Sequence, residues 1–270
     1  MEYRSLGRTG EKVSVIGMGT YQMGATRDLK QRSAQIDSLR GGLDLGMNLI
    51  DTAEFYADGG AEEIVGEAIG DRKRDEVFIA TKVWPTHLHY DDVLDACNRS
   101  IERLGVRQID LYQVHWPNPR IPIKETMGAM EKLVRDGFVR YVGVSNFSVE
   151  QTREARDALA RSDLVSNQVE YSMSERSIEK ELLPYCAKEG ITVIAYSPLG
   201  KGSLPASLVP RSILDKYHFT VAQAALNWVT FNESVVAIPK SAKREHTEAN
   251  AKAISVRLSP DDYRLLSGNL

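Results

Sequence analysis

The stretch IDLYQVHWPNP, Ile109 to Pro119, joins a run of mostly apolar residues to a turn that holds two prolines. The run from Ile109 to Val114 predicts a strand that is buried on both faces. His115 and Trp116 follow where that strand ends, and the prolines stiffen the loop behind them. A histidine and a tryptophan at the end of a buried strand indicate chemistry rather than packing, so partners are expected at the other strand ends.

Strands and helices alternate along the rest of the chain. Short β-branched runs are separated by amphipathic stretches that carry helix-capping signals, such as Ser148 with Gln151. The predicted strands cover Ile16–Thr20, Asn48–Ile50, Val77–Val83, Ile109–Val114, Val139–Val144, Val165–Tyr171, Ile191–Tyr196 and Val235–Ile238. The predicted helices cover Ser33–Met47, Ala61–Gly70, Asp91–Leu104, Ile123–Asp136, a segment capped by Ser148, Ser177–Glu189, Thr220–Thr230, Lys243–Ala253 and Pro260–Ser267. A hairpin over Tyr3–Val15 precedes them and is expected to plug or cap the sheet.

Eight strands that are each followed by a helix fit either a closed (β/α)8 barrel or an open doubly wound sheet. An open sheet that binds a dinucleotide should carry G-x-G-x-x-G between its first strand and helix. The only early glycine cluster is Gly17-Met18-Gly19, which lacks the third glycine. The length of 270 residues also suits one barrel. We therefore predict an α/β fold, a single (β/α)8 TIM barrel domain over residues 1–270 with an N-terminal β-hairpin cap.

The composition excludes some classes of partner. The net charge of −3 and the pI of about 6 give no electrostatic reason to bind nucleic acid or an anionic membrane. No apolar run approaches the ~18 residues of a transmembrane helix, and the N-terminus lacks the features of a signal peptide. Cys97 and Cys186 fall on apolar stripes of predicted helices, so we expect two reduced core thiols and a cytoplasmic protein.

Three neighbouring strand ends carry ionisable residues. The second predicted strand ends in Asp51, and Tyr56 lies in the loop beyond it. The third strand carries Lys82 near its end, and the fourth is followed by His115. In a (β/α)8 barrel these ends share the face on which active sites are built. A buried lysine needs a counter-charge such as Asp51, and a lysine beside a phenol favours the phenolate, so we expect Lys82 to lower the pKa of Tyr56.

These four residues form an apparatus for reducing a carbonyl group. A tyrosine tuned by a lysine can donate a proton to a developing alkoxide. A histidine can donate a hydrogen bond to the same oxygen and orient it. A nicotinamide would supply the hydride. Each residue alone has an ordinary structural explanation, but their joint placement at three adjacent strand ends favours a shared chemical role.

The chain resembles the aldo-keto reductase family in motifs that span nearly its whole length. The matching segments are Gly17–Tyr21, Leu49–Ala53 with Tyr56, Ile79–Trp84, Asp110–Pro117, Val142–Phe147, Asn167–Tyr171, Ala195–Leu199 and Ile238–Ser241. The resemblance implies a (β/α)8 barrel and NAD(P)H-dependent reduction of aldehydes or ketones. It assigns Tyr56 as the general acid and His115 as the residue that orients the carbonyl. Lys82 and Asp51 are the residues that tune the acid.

The resemblance also implies where a dinucleotide and a substrate bind. The nicotinamide ring would stack on Tyr196, which exposes one ring face to the substrate. The residues assigned to the cofactor are Gly19, Thr20, Asp51, Ser145, Asn146, Gln168, Tyr196, Ser197, Pro198, Leu199, Gly200, Ile238, Pro239, Lys240, Ser241, Arg244, His246 and Asn250. The residues assigned to the substrate are Tyr21, Tyr56, Trp84, His115 and Trp116.

The segment Lys240–His246 bears on the choice of cofactor. In the family an adenosine 2′-phosphate is held by a lysine, a serine and a later arginine. His246 stands where that arginine is common, but Lys240, Ser241 and Arg244 still supply donors and positive charge. We therefore expect NADPH, with NADH also possible.

The chain is shorter than longer members of the family in two places. Only a short loop separates Gly202 from the predicted helix near Thr220, and only a few residues follow Pro260. Longer relatives fold both regions over cofactor and substrate. We therefore expect a short cofactor loop, a short C-terminal tail and a more open pocket.

Two other functions compete with that of an active reductase. The same fold can bind the cofactor and act as a redox-sensing regulatory subunit with little turnover. A metal-dependent barrel hydrolase would need several histidines and aspartates at strand ends, and the chain offers one of each there. We expect a monomer or weak oligomer whose partner is a small-molecule carbonyl compound.

Two further charged groups have plainer interpretations. His87 and His89 are separated by one residue but lack a recognisable third ligand, so we expect no bound metal. Glu62 and Glu63 are expected to be solvated charges at a helix end.

Overall fold

The chain begins with an antiparallel hairpin in the computed structural model, which describes residues 1–70, 72 and 74–268. Its strands are β1 (Tyr3–Ser5) and β2 (Lys12–Ser14). Leu6 and Val13 are fully buried and belong to the apolar cluster that fills the barrel interior. Because that cluster includes the first residues of two barrel strands, the hairpin plugs the end at which the strands begin, as predicted.

Eight parallel strands form the barrel. They are β3 (Met18–Gly19), β4 (Leu49–Asp51), β5 (Phe78–Val83), β6 (Ile109–Val114), β7 (Val139–Ser145), β8 (Leu164–Glu170), β9 (Thr192–Tyr196) and β10 (Val235–Ala237). Each strand pairs with its neighbours in the sequence. The sheet closes on itself because Ile16 pairs with Ala237, and Gly19 pairs with Lys240. The predicted (β/α)8 barrel is confirmed.

Helices follow the barrel strands. They are α1 (Leu29–Asp44), α2 (Gly60–Ile69), α3 (Tyr90–Leu104), α4 (Ile123–Arg135), α5 (Val149–Asp157), α6 (Leu182–Glu189), α7 (Arg211–Tyr217), α8 (Val221–Val229), α9 (Arg244–Ala251) and α10 (Pro260–Gly268). The predicted capping boxes form at the starts of α5 and α8. Helix and strand order therefore follow the sequence pattern.

Helices α1, α6 and α7 differ from the sequence prediction. Helix α6 begins at Leu182, five residues later than the predicted Ser177, and a separate 3₁₀ turn over Ser177–Glu179 precedes it. Helix α1 begins four residues earlier than Ser33 because the Asp28 side chain caps it by accepting from the Lys30 N–H at 2.8 Å. Helix α7 lies in a segment for which we predicted no helix. It spans seven residues, which is too short for a clear apolar period, and only Ile213 within it is buried.

The two cysteines are free and buried, as predicted. Burial raises the pKa of each thiol to about 12, so both are inert at neutral pH. Among the described residues, no helix has the length and apolar character needed to cross a membrane.

The hairpin plug predicts a specific cost for truncating Leu6. Leu6→Ala should lower the free energy of unfolding by about 2–5 kcal/mol, because it leaves a cavity in the barrel interior. Chemical denaturation monitored by circular dichroism measures this value. The matched control is Leu29→Ala, at a position that is 79% exposed, where the change should stay within about 0.5 kcal/mol. Equal losses in the two variants would contradict the plug.

Candidate active site

Lys82 and Asp51 form a buried ion pair on neighbouring strands. Lys82 Nζ donates to Asp51 Oδ1 at 2.6 Å and to the Thr52 carbonyl oxygen at 2.7 Å. The lysine side chain is 0% exposed and the aspartate side chain 3%. Burial disfavours the charged lysine, but the charge and hydrogen bond of Asp51, together with the contact to Tyr56, outweigh this effect and raise the pKa of Lys82. The lysine is therefore a fixed cation inside the barrel.

Tyr56 lies in a turn that carries its hydroxyl to this cation. The turn spans Tyr56–Gly59, and the three residues after the tyrosine have φ angles of 53°, 51° and 89°. At Gly59 a Cβ would collide with the Arg103 side chain, so glycine is required for space as well as for conformation. The Tyr56 hydroxyl lies 3.5 Å from Lys82 Nζ.

Lys82 lowers the pKa of Tyr56 as expected, but the net shift is upward. Burial raises the pKa of Tyr56, and this effect exceeds the lowering caused by the charge of Lys82. The sequence reveals the neighbouring lysine but not how much water the folded loop removes from the phenol. Tyr56 is therefore protonated at neutral pH, and Lys82 is the cation nearest to its hydroxyl group.

His115 lies beside Tyr56 with its imidazole largely buried. Its ring centroid is 5.6 Å from that of Tyr56 and 5.0 Å from that of Trp84, both in edge-on geometry. Its Nδ1 is buried and has no hydrogen-bond partner among the described residues. Burial, with the nearby charge of Lys82, lowers the pKa of His115 to about 3. The imidazole is therefore neutral at physiological pH.

Aromatic side chains stand around Tyr56. The Tyr21 ring contacts the Tyr56 ring at a centroid distance of 5.3 Å. Trp84 stacks on Phe55 with centroids 3.7 Å apart and planes 6° from parallel. Tyr21, Phe55 and Trp116 are exposed. The sequence prediction included the other aromatic residues but missed Phe55, whose stacking becomes visible only in three dimensions.

Two buried carboxylates flank the Tyr56 turn in the sequence, and the sequence prediction assigned a site role to neither. Glu62 is fully buried, so its predicted solvated position is wrong. It accepts hydrogen bonds from Thr81 Oγ1 and Arg103 Nε, both at 2.6 Å. Glu54 is 8% exposed and accepts from the Trp84 N–H at 2.7 Å. Glu54 and Glu62 differ from ordinary surface glutamates only because the folded loop and helix turn them toward the protein interior, which the sequence does not show.

The residues that the sequence predicts for the nicotinamide form one cluster. The Tyr196 hydroxyl donates to Asn146 Oδ1 at 3.0 Å, and Asn146 Nδ2 donates to Ser145 Oγ at 3.0 Å. Gln168 Nε2 donates to Asp51 Oδ2 at 2.7 Å. Burial raises the pKa of Tyr196 to about 12, so its hydroxyl remains a donor. The cluster thus presents amides and a fixed aromatic ring next to the ion pair.

The barrel seam holds four more residues predicted for the cofactor. Gly19 N donates to the Pro239 carbonyl oxygen at 3.1 Å, and Thr20 Oγ1 donates to the Asp51 carbonyl oxygen at 3.0 Å. A Cβ at Gly19 would lie 2.8 Å from the Ile238 carbonyl oxygen, so the seam itself requires this glycine. The closure of the barrel between β3 and β10 therefore explains by itself why residue 19 is a glycine.

A tight turn follows β9, where the pyrophosphate is predicted. Gly200 N donates to the Ser197 carbonyl oxygen at 2.9 Å, and these two residues have φ angles of 56° and 50°. Pro198 is buried and Leu199 half-buried within the turn. The hydrogen bond and the left-handed backbone angles therefore fix the shape of this turn, although the segment that follows it is exposed.

The residues after β10 separate into exposed and buried positions. Lys240 is exposed and makes no ion pair among the described residues. Ser241 is buried, and its Oγ accepts from the Lys243 N–H at 3.1 Å just before α9. On α9, His246 is exposed and Asn250 is 6% exposed. Lys240 is thus a cation that is free to meet an anionic ligand.

Arg244 is already engaged with carboxylates. Its guanidinium lies 2.9 Å from Asp37, 3.6 Å from Asp44 and 3.1 Å from Glu248. These acidic partners raise the pKa of Arg244. Arg244, which is predicted to supply positive charge for a 2′-phosphate, therefore has competing partners. The sequence does not reveal them, because Asp37 and Asp44 lie on α1.

The two loop histidines contact separate carboxylates. His87 Nδ1 lies 2.9 Å from Glu54 Oε1, and His89 Nδ1 lies 2.9 Å from Glu125 Oε1. Within the described ranges, no group of three or more histidine, cysteine, aspartate or glutamate side chains is arranged to hold a metal ion.

The chain is similar to known proteins over nearly its whole length. The sequence model of the Aldo/keto reductase family matches residues 15–268. Methylglyoxal reductase YeaE of Escherichia coli (strain K12) is 38% identical over 256 residues, which cover 93% of this chain and 89% of that protein. The crystal structure of the thermostable aldo-keto reductase Tm1743 with the inhibitor epalrestat gives a TM-score of 0.94 at 39% identity and covers 100% of both chains. An aldo-keto reductase from Klebsiella pneumoniae in complex with NADP and acetate gives a TM-score of 0.89 at 39% identity, over 99% of this chain and 95% of that one.

The family match includes every strand of the barrel and all four ionisable residues at the strand ends. The similarity to solved structures extends over the whole chain rather than over the barrel scaffold alone. The chain belongs to the aldo-keto reductase family.

Proposed function

We propose that the protein reduces the carbonyl group of small aldehydes or ketones to an alcohol, with NADPH as the cofactor. The observation that carries the proposal is the Tyr56 hydroxyl, 3.5 Å from the buried Lys82–Asp51 pair and beside a neutral His115. Such a group can deliver a proton to a carbonyl oxygen. The similarity to a methylglyoxal reductase supports a small carbonyl substrate.

Tyr56 acts as the general acid in this proposal. Its raised pKa keeps the hydroxyl protonated until the carbonyl oxygen gains negative charge. The proton then moves from the Tyr56 oxygen to that oxygen, and the ammonium of Lys82 stabilises the phenolate that remains. Asp51 keeps the lysine charged and in place through the 2.6 Å hydrogen bond.

His115 positions the carbonyl. A neutral imidazole donates from one nitrogen only. Since Nδ1 is enclosed without a partner, Nε2 is the nitrogen that can reach a substrate oxygen. A neutral donor also avoids placing a second cation next to Lys82, which is the physical reason that its low pKa suits the site.

The residues present suit a nicotinamide dinucleotide. Gln168 Oε1 and the fixed Tyr196 ring offer an acceptor for a carboxamide and a surface for stacking. A bound nicotinamide would supply the hydride. Its remaining contacts are proposed for Ser145 and Asn146, and for the Ser197–Gly200 turn that would meet the pyrophosphate.

The exposed cation of Lys240 supports NADPH over NADH. A 2′-phosphate favours sites with positive charge and several donors. Lys240 and the start of α9 provide these, with Ser241 fixing the turn between them. Arg244 and His246 contribute less in this proposal, because the first is paired with acids and the second stands on the exposed surface. Asn250 is proposed to contact the adenine.

We also propose a single domain that works in the cytoplasm as a monomer or weak oligomer. Two free, buried thiols suit a reducing compartment. The completeness of the proton-delivery group favours turnover over a purely regulatory, cofactor-binding role.

Replacing Tyr56 with phenylalanine tests the acid assignment. Tyr56→Phe removes one oxygen and should lower kcat for aldehyde reduction by roughly 10²- to 10⁴-fold. NADPH affinity, measured by fluorescence titration, should change less than about twofold because the ring remains. Full turnover in this variant would refute Tyr56 as the acid. If the wild-type protein binds NADPH but shows no turnover, the regulatory role is favoured.

The His115 environment predicts an absent titration. With a pKa of about 3, the imidazole should stay neutral from pH 8 to pH 5. Histidine labelled with ¹³C at Cε1 gives a resonance for NMR, and His115→Gln assigns it. The sign follows from burial: the unfolded chain binds a proton near pH 6.5 and the folded site does not, so this group destabilises the fold as the pH drops below about 6.5. A midpoint near 6.5 in the folded protein would contradict the assignment.

A further inference from the structure

Glu54 connects the loop that carries Tyr56 to the loop after β5. It lies two residues before the tyrosine and is 8% exposed. Its Oε1 accepts from the Trp84 N–H at 2.7 Å and lies 2.9 Å from His87 Nδ1. Its other oxygen is 4.0 Å from the Arg99 guanidinium. One carboxylate thus fixes the backbone of the neighbouring loop.

Trp84 needs such an acceptor because the sheet does not provide one. It is the first residue after β5, so its N–H lies beyond the hydrogen-bonded part of the strand. A partly buried N–H without a partner carries a cost, and Glu54 supplies the partner. The neighbouring Phe55 fixes the indole by stacking on it at 3.7 Å. Two consecutive residues therefore set the position of the Trp84 backbone and ring.

The Trp84 ring in turn contacts the imidazole of His115. An imidazole is usually oriented by a hydrogen bond at its second nitrogen. Among the residues that the structure describes, none bonds to the buried Nδ1 of His115. The His115 ring contacts the rings of Trp84 at 5.0 Å and Tyr56 at 5.6 Å. Asn146 donates to the His115 carbonyl oxygen at 3.0 Å, which fixes the backbone but not the ring.

We infer that Glu54 is a positioning residue for carbonyl reduction, acting through Trp84 on the orientation of the His115 imidazole. Trp84 then has a second task besides lining the substrate pocket. The inference rests on the proposed reductase function, since His115 must meet a carbonyl for its orientation to affect turnover. The required property of residue 54 is an acceptor oxygen at the Oε1 position rather than a negative charge.

Two substitutions at residue 54 separate a requirement for an acceptor oxygen from a requirement for a negative charge. Glu54→Gln keeps an acceptor oxygen at the same reach, whereas Glu54→Leu keeps the bulk and removes the acceptor. Glu131→Leu is the matched control, because Glu131 Oε1 also accepts from loop N–H groups, those of Ala160, Arg161 and Ser162. These lie before β8 and far along the chain from the site.

The experiment measures kcat and KM with an aldehyde, and counts sites by NADPH binding. Glu54→Leu should lower kcat per NADPH-binding site on the order of 10- to 100-fold, because a misoriented donor weakens the transition state. Its NADPH Kd should stay within about twofold, since cofactor contacts are unaltered. Glu54→Gln should stay within about threefold of wild-type kcat, and Glu131→Leu should not change it.

A second readout does not depend on turnover. The ¹³Cε1 resonance of His115 senses the ring current of Trp84, so it should shift in Glu54→Leu and keep its wild-type position in Glu54→Gln. An unchanged resonance in Glu54→Leu would overturn the inference even if the wild type proved inactive.

The kinetic outcomes are equally decisive. Wild-type kcat in Glu54→Leu, or an equal loss in Glu54→Gln, would also overturn the inference. NADPH affinity that falls together with kcat would indicate general damage and would likewise count against it. Absence of turnover in the wild type refutes the proposed function instead, and the NMR result then decides the positioning role alone.

Discussion

The buried ion pair between Lys82 and Asp51 is the interaction on which the rest of the site depends. Two charges that are almost completely removed from water are tolerated only when each has close, well-oriented partners. The barrel supplies them from separate elements: Lys82 donates to Asp51 at 2.6 Å and to the Thr52 carbonyl oxygen at 2.7 Å. Asp51 also accepts from Gln168 at 2.7 Å. Lys82 and Asp51 can therefore meet only when the parallel strands that carry them are paired in this register.

This ion pair links Tyr56, the proposed proton donor, to the proposed cofactor surface. Gln168 donates to Asp51, and its strand β8 lies between the strands that end next to Asn146 and at Tyr196. On the other side, Lys82 reaches the Tyr56 hydroxyl at 3.5 Å. The left-handed turn after Tyr56 delivers that hydroxyl, and the Glu54 and Phe55 contacts hold the loops around it. The Lys82–Asp51 pair thus contacts both the proposed acid, Tyr56, and the proposed cofactor surface.

The sequence predicts the elements of this arrangement better than their surroundings. Strand ends are visible as apolar runs that stop at polar residues, so the convergence of Asp51 and Lys82 follows from the barrel topology. Solvent exposure does not follow in the same way. Burial outweighs the lowering of the Tyr56 pKa by Lys82. Glu62, expected to be solvated, is fully buried. Helix α7 was missed because two turns give too few apolar positions to define a period.

A double-mutant cycle on the rate of hydride transfer tests most directly whether the ion pair acts as one unit. Stopped-flow absorbance of NADPH under single-turnover conditions would be measured for Lys82→Met, Asp51→Asn and the double variant, each with its NADPH-binding stoichiometry as a check on folding. If Asp51 acts only by holding the Lys82 cation, the double variant should lose no more rate than Lys82→Met alone. Losses that multiply in the double variant would show two independent contributions and contradict this account.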